Sequence, residues 1–318
     1  MFDFRKHFCI GVALVGLSLT VQAETKVFLM GGQSNMAGLG GYAGQYGGPL
    51  DQPCPVPYDL PQMAVQFWNY GPDPQPHPAY GINLPGVGTG WANLAPGYGH
   101  TPSMFGPEVA FGYRLHQLFP DDEIYLVKEG VTSQSLAVNW NPNGTAPPND
   151  GGPGGIYNMF KARVNAALAD LEARGKSPVI AGMVWMQGES DAMNHDWAVA
   201  YGENLTTLID KVRSDFDTPN MPFVAGRITN HDEWGTPADN ALVRNALMTV
   251  PPQLGFGSWV DTDDLPWATA GHYGTKGQIE LGIRFADAIA TMPEPSVLML
   301  LVSGCFGWRC LNEFRRKK

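Results

Sequence analysis

Residues 25–36 read TKVFLMGGQSNM, and this stretch decides the fold. Lys26–Met30 is a short apolar run typical of a buried strand, and the pair Gly31-Gly32 follows it. Ser34 comes next, before a predicted helix start. In parallel α/β proteins the reactive groups collect at the carboxyl ends of the strands. The stretch therefore predicts a first sheet strand and a candidate nucleophile at its end.

Outward from this stretch the chain alternates strand and helix. Four more apolar runs predict strands: Ile124–Val127, Val179–Met186, Phe223–Ala225 and Trp259–Val260. Helical spacing predicts helices over Pro107–Phe119, Tyr157–Arg174, Trp197–Phe216, Ala238–Met248 and Lys276–Ala290. Alternation in this order gives right-handed crossovers and a parallel sheet covered on both faces. We therefore predict one α/β domain over residues 24–292, a three-layer α/β/α sandwich with about five strands.

A long segment, residues 38–107, interrupts this alternation. It is rich in Gly, Pro, Tyr and Trp and shows neither helical nor strand periodicity. Stretches of this length without regular structure are usually functional. Five aromatic side chains either stack on sugar rings or pack as a lid, and both interpretations stay open: Trp68, Tyr70, Tyr80, Trp91 and Tyr98.

Charge excludes one class of partner. The formal net charge is −10, and because residues 1–23 carry +1 and residues 293–318 carry +3, the part between them carries −14. A domain this acidic is repelled by phosphate backbones, so we expect no nucleic-acid partner.

Both ends of the chain have the layout of targeting segments. Residues 1–23 combine Arg5 and Lys6 with an apolar run and the small residues of Val21-Gln22-Ala23, which predicts a signal peptide cleaved after Ala23. Residues 293–318 place Pro-Glu-Pro before an apolar run and a basic tail, an order that resembles the PEP-CTERM sorting signal. That resemblance implies export across the inner membrane, an exosortase-type processing enzyme, and a cell-surface or extracellular location. The alternative for residues 1–23 is a buried first strand or helix, and the alternative for residues 293–318 is an amphipathic terminal helix that packs on the domain.

Polar side chains gather where the predicted strands end. Residues 129–135, 187–191 and 261–264 follow the second, third and last strands, and His272 comes shortly afterwards. A serine hydroxyl is a weak nucleophile that needs a nearby base, and His272 is positioned in sequence to supply it to Ser34. The other histidines of the domain are rival bases: His77, His100, His195 and His231.

These motifs resemble the SGNH-type hydrolases, specifically the sialate O-acetylesterase and acetylxylan esterase branch known as carbohydrate esterase family six. Gly32–Met36 is similar to its nucleophile block, Trp185–Asp191 to its W-x-Q-G-E-x-D block, and His272–Arg284 to its histidine block. Phe105–Glu108 matches a further segment. The resemblance covers roughly residues 25–290 and implies an SGNH or flavodoxin-like fold.

The resemblance also implies roles for single residues. Ser34 is then the nucleophile, His272 the base and Gln187 an oxyanion donor, while Gly130 substitutes for a family glycine that the chain lacks. The family places an aspartate three residues before the histidine, and here that position is Thr269.

Two carboxylates are candidates for the missing acid of the triad. Asp264 is the first, because it leaves the same strand end as the loop that carries His272. Glu189 is the second, on the neighbouring loop, where it either contacts substrate or caps a turn. As an alternative, the Asp261–Asp264 cluster offers the oxygen ligands that calcium prefers.

The expected function is that of an exported serine esterase that removes O-acetyl groups from carbohydrates, without a metal or organic cofactor. An acetylated carbohydrate is then the substrate. Two alternatives from other functional classes stay open, because the chain has Thr269 in place of the family's aspartate and lacks one of its glycines. One is a catalytically impaired surface protein that binds carbohydrate, and the other is a structural matrix protein held at the surface by its tail.

Overall fold

A computed structural model describes residues 23–40, 52–69, 90–100, 104–148, 150–230, 234–269 and 271–293. The predicted signal peptide and sorting tail lie outside these residues, apart from Ala23 and Pro293. Nine strands are described: β1 (Thr25–Gly32), β2 (Gln62–Asn69), β3 (Gly90–Leu94), β4 (Glu123–Gly130), β5 (Pro178–Met186), β6 (Phe223–Gly226), β7 (Gly257–Val260), β8 (Trp267–Thr269) and β9 (His272–Tyr273). The described helices are α1 (Ser34–Ala37), α2 (Glu108–Leu118), α3 (Gly155–Ala173), α4 (Glu189–Ala192), α5 (His195–Asp215), α6 (Pro237–Gln253) and α7 (Thr275–Ala290).

In the described residues the main sheet has seven strands, in the order β3-β2-β4-β1-β5-β6-β7. All neighbours pair in parallel except β3, which is antiparallel to β2. The five predicted strands are β1, β4, β5, β6 and β7, which lie next to one another in this sheet. The predicted fold class is confirmed, and the sheet is wider than predicted by two strands.

Both additional strands come from the segment that showed no periodicity. β2 shows no regular alternation, since Val65, Phe67 and the adjacent Trp68 are all buried while Met63, of the same parity as Val65 and Phe67, is exposed. Glycines and prolines surround the strand, so the local sequence hides it. The prediction that residues 38–107 hold no regular structure is therefore wrong for β2 and β3. They extend one edge of the sheet beside β4.

Two layers of helices cover the sheet. α2 and α7 pack against each other on one face, while α3, α5 and α6 cover the other face. Aromatic side chains fill both interfaces. Phe28 meets Phe111 of α2 edge-on at 5.9 Å, and Trp185 meets Trp140 edge-on at 4.9 Å. Burial of such large side chains is the main stabilising contribution to a domain of this size.

This arrangement brings three loops to one place. The ends of β4, β1 and β5 lie side by side, with Gly32 opposite both Gly130 and Met186. The segments that leave these strands therefore start within one strand spacing of each other. Among the described helices, none combines the length and the apolar character that crossing a membrane requires.

Candidate active site

Ser34 and His272 meet at the carboxyl edge of the sheet. Ser34 is the first residue of α1, and its Oγ lies 3.0 Å from Nε2 of His272, 238 residues later in the chain. The other ring nitrogen, Nδ1, lies 3.4 Å from the hydroxyl of Thr269 across the β8–β9 hairpin. The indole of Trp234 meets the imidazole edge-on at 5.5 Å. This pairing is the geometry of a serine with its general base.

The turn that presents Ser34 requires glycine. Gly32 has a φ of +155°, and a Cβ there would lie 2.1 Å from the carbonyl oxygen of Met186. The amide of Gln33 donates to this same oxygen, and the first helical bond of α1 runs from Ala37 N to Gln33 O. The N–H of Ser34 precedes that first bond, as the first amides of any helix do. It is available to a bound oxyanion beside the hydroxyl.

A buried polar network lies behind the nucleophile. Gln187 is fully buried, and its Nε2 donates to Gln33 Oε1, to the carbonyl of Gln134 and to Asp191 Oδ2, at 3.1, 3.2 and 2.6 Å. Its Oε1 accepts from the hydroxyl of Tyr201. We correct the prediction that Gln187 is an oxyanion donor, because its N–H groups point into this network. Its observed role is to link the loops that follow β1, β4 and β5.

Asp191 is the anchor of the loop after β4. One carboxylate oxygen accepts from the amide of Leu136 at 2.8 Å and the other from the amide of Ala137 at 2.9 Å. Burial raises the pKa of Asp191 to about 6, although these hydrogen bonds favour its charged form. A carboxylate with this many donors fixes the position of the loop relative to the active site.

Glu189 is buried, with only 2% of its surface exposed. Its Oε1 accepts from Asn35 Nδ2 at 3.0 Å, and its Oε2 has no hydrogen-bond partner among the described residues. Burial raises the pKa of Glu189 to about 7. The predicted contact with substrate is not supported, because the carboxyl group faces Asn35 instead.

Close packing requires a glycine at position 130. Gly130 ends β4 opposite Gly32, and a Cβ there would lie 2.6 Å from the amide nitrogen of Ala37 in α1. Only a residue without a side chain lets β4 approach the nucleophile helix this closely. This contact accounts for the glycine without the oxyanion role predicted for it.

Asp264, the first candidate for the acid of the triad, forms an ion pair with an arginine. Its two oxygens each accept from Arg284 at 2.7 Å, and this pairing lowers the pKa of Asp264 to about 2. The hydroxyl of Thr269 lies 3.4 Å from His272 Nδ1. We therefore correct the prediction that Asp264 is the triad acid, because its carboxylate is held by a different partner.

The alternative of a calcium site has no support in the same cluster. Asp261 and Asp263 pair with Arg227, and Asp263 also pairs with Arg244. In the described part of the chain, no group of three or more His, Cys, Asp or Glu side chains is placed to hold a metal ion. The carboxylates of this cluster neutralise arginines.

The aromatic side chains of the long segment divide into two groups. Trp68 and Trp91 meet edge-on at 5.0 Å, and Tyr98 stacks on Phe67 at 4.4 Å. These three therefore pack against the sheet, which favours the packing interpretation for them. Tyr70 and Tyr80 lie outside the described residues.

Comparison with known families identifies the domain. A family model described as "Carbohydrate esterase, sialic acid-specific acetylesterase" matches residues 24–291. The chain belongs to this carbohydrate esterase family. A probable carbohydrate esterase of Arabidopsis thaliana is 28% identical over 117 residues, which span 37% of this chain and 43% of that protein.

Solved structures share the fold of this carbohydrate esterase. An Arabidopsis thaliana protein superposes with a TM-score of 0.63 at 21% identity, covering 84% of this chain and 98% of its own. A carbohydrate acetylesterase from Xanthomonas citri gives 0.58 at 19% identity, covering 82% and 55%. NanS gives 0.59 at 16% identity, covering 85% and 98%.

The sequence did not predict the contacts that three residues of the candidate site make: Asn35, Asp191 and Trp234. Asn35 and Asp191 belong to the motifs that resemble the family, but the motifs do not show which groups they bond. Trp234 lies outside every motif, and no local signal identifies it as a neighbour of His272.

Proposed function

We propose that this carbohydrate esterase hydrolyses O-acetyl esters of sugars, with Ser34 as nucleophile and His272 as general base. The observation that carries the proposal is the 3.0 Å contact between Ser34 Oγ and His272 Nε2. This distance lies within the range over which a base removes a hydroxyl proton. The family and the fold support ester hydrolysis on a carbohydrate, and this pair supplies the chemistry.

The reaction proceeds in two steps. His272 Nε2 takes the proton of Ser34 as Oγ attacks the carbonyl carbon of the acetyl group. The tetrahedral intermediate collapses, its bond to the sugar oxygen breaks, and that oxygen takes the proton from His272. A water molecule then attacks the acetyl-serine by the same route, and acetate leaves. A base needs Nε2 unprotonated, and in the tautomer that this requires Nδ1–H faces the hydroxyl of Thr269, 3.4 Å away.

The intermediate carries a negative charge that backbone donors can stabilise. The N–H of Ser34 stands at the start of α1, before the first helical hydrogen bond. Such preorganised donors contribute about 3–4 kcal/mol each in serine hydrolases. Because Gln187 is buried in its own network, the main chain is the source of donors that we propose.

Release of acetate from p-nitrophenyl acetate and from acetylated sugars tests the proposal. We expect activity in the wild type and a fall in kcat of about a thousandfold or more in Ser34→Ala. Ser190→Ala is the matched control, because Ser190 lies in α4 near the site and contributes only its amide to the described network. Binding of acetylated sugar without acetate release would favour the alternative of an impaired carbohydrate-binding protein.

We also propose that the esterase is exported, on the basis of its two terminal segments. Residues 1–23 have the layout of a signal peptide, and residues 293–318 resemble a sorting signal that an exosortase-type enzyme would process. The mature protein should begin at Glu24 and lack Arg315–Lys318. Mass spectrometry of the native protein tests this, and recovery of the uncleaved chain from cytosol would contradict it.

A further inference from the structure

Asn35, which follows the nucleophile in sequence, uses every hydrogen-bonding group of its side chain. Its Nδ2 donates to Glu189 Oε1 at 3.0 Å and to the carbonyl of Gly271 at 3.1 Å. Its Oδ1 accepts from the amide of Tyr273 at 3.1 Å. The residue is fully buried. Because each partner demands either a donor or an acceptor, the network fixes the orientation of the amide.

Two of these partners flank the general base. Gly271 precedes His272 and Tyr273 follows it, so one side chain holds the backbone on both sides of the imidazole. The same side chain belongs to α1, which begins with Ser34. Asn35 therefore fixes the loop of the base to the helix of the nucleophile, across 236 and 238 residues of sequence.

Glu189 determines where the second N–H of Asn35 points. It binds one N–H of the amide, which leaves the other directed at the carbonyl of Gly271. The turn has a fixed shape, since Gly271 has a φ of +65° and a Cβ there would lie 2.2 Å from the ring of Trp234. Because Asn35 holds the backbone on both sides of His272, a displacement of Asn35 moves the imidazole as well.

We propose that Asn35 is a positioning residue for His272, and that Glu189 orients Asn35 for this task. The inference rests on the proposed function, because it assigns a role within the Ser34–His272 reaction. Misplacing a catalytic group by about 1 Å costs about a hundredfold in rate. Loss of the Asn35 contacts should therefore act on kcat and leave substrate binding nearly unchanged.

Asn35→Asp is the sharpest probe of this role. The aspartate keeps the size of the side chain and the acceptor for Tyr273, but it turns an oxygen toward the carbonyl of Gly271 and the carboxyl group of Glu189. We expect kcat on an acetylated sugar to fall about fiftyfold or more, with KM within about threefold. Labelling of Ser34 by an organophosphonate should slow in parallel, because it requires the same base.

Reversing the hydrogen bond provides the rescue. In the double variant Asn35→Asp with Glu189→Gln, the new amide donates to the new carboxylate. We expect this pair to recover at least about fivefold in kcat over Asn35→Asp, whereas Glu189→Gln alone lowers kcat relative to the wild type. Asn35→Ala, which removes the contacts without adding a charge, serves if the aspartate variant does not fold.

Asn158→Asp is the matched control, since Asn158 also donates to two backbone carbonyls, those of Gly144 and Ala146. It should lose stability without losing kcat. Folded Asn35 variants with kcat within threefold of wild type, or an equal loss in Asn158→Asp, would overturn the inference. Absence of rescue would overturn the role of Glu189. An inactive wild type whose Ser34 resists the phosphonate would instead overturn the proposed function.

Discussion

Replacing Glu189 with glutamine should change how the stability of the protein depends on pH. Burial raises the pKa of this carboxyl group from 4.5 to about 7, so the folded protein holds the proton more tightly than the unfolded chain. For an acid shifted in this direction, stability is greatest below the unfolded pKa. It falls as the pH rises from about 4.5 to about 7, because folding then opposes ionisation.

The size of the effect follows from the two pKa values. Each pKa unit corresponds to about 1.4 kcal/mol, so the ionised carboxylate costs the fold about 3 kcal/mol once the pH exceeds 7. About 1 kcal/mol of that cost is already present at pH 5, which leaves about 2 kcal/mol between pH 5 and pH 8. Burial raises the pKa of Glu129 to about 7 and that of Asp191 to about 6, and both act in the same direction.

Urea unfolding at pH 5 and pH 8 measures this dependence. The wild type should lose about 2 kcal/mol more of its free energy of unfolding between these pH values than Glu189→Gln does. Comparing differences cancels any constant effect of the new amide. Glu203→Gln, on the exposed face of α5, is the control and should keep the wild-type slope. Equal slopes in wild type and Glu189→Gln would refute the reasoning.

Three further predictions concern groups around the site. Asp264→Asn should keep kcat within about threefold of the wild type, because this carboxylate binds Arg284. A tenfold loss of kcat would show that Asp264 takes part in the reaction. Thr269→Asp places a negative charge beside Nδ1 of His272 and favours the imidazolium. The acid limb of the profile of kcat/KM against pH should therefore move to higher pH by about one unit. An unmoved limb would show that this side chain does not face the base. Lys128→Met removes the ammonium group that pairs with the buried Glu108 carboxylate at 2.8 Å, so the free energy of unfolding should fall by about 3–5 kcal/mol. An unchanged urea midpoint would contradict this.

The sequence predicted the fold where hydrophobic patterns are strong. The buried central strands read as continuous apolar runs, and their alternation with helices implies a covered parallel sheet. β2 and β3 were not predicted because they lie within a segment rich in glycine and proline, where the hydrophobic pattern is irregular. Their pairing with the sheet is a tertiary contact that no local pattern encodes.

The site was predictable in part, for a similar reason. The sequence singled out Ser34 and His272, which lie 3.0 Å apart in the structure, because each is a residue type that the proposed chemistry requires, at a position where a strand or loop ends. Gln187 and Asp264 were given wrong roles because a role depends on partners distant in sequence. The partner of Asp264 is 20 residues away, and Gln187 meets Gln33 across 154 residues.

The central claim is that Ser34, activated by His272, forms the covalent intermediate. Treatment with an organophosphonate followed by peptide mapping tests it most directly, because the reagent bonds to the activated serine. We predict a single adduct on Ser34 in the wild type, absent from Ser34→Ala and formed much more slowly in His272→Ala. An adduct on a different serine, with Ser34→Ala still releasing acetate at the wild-type rate, would contradict it.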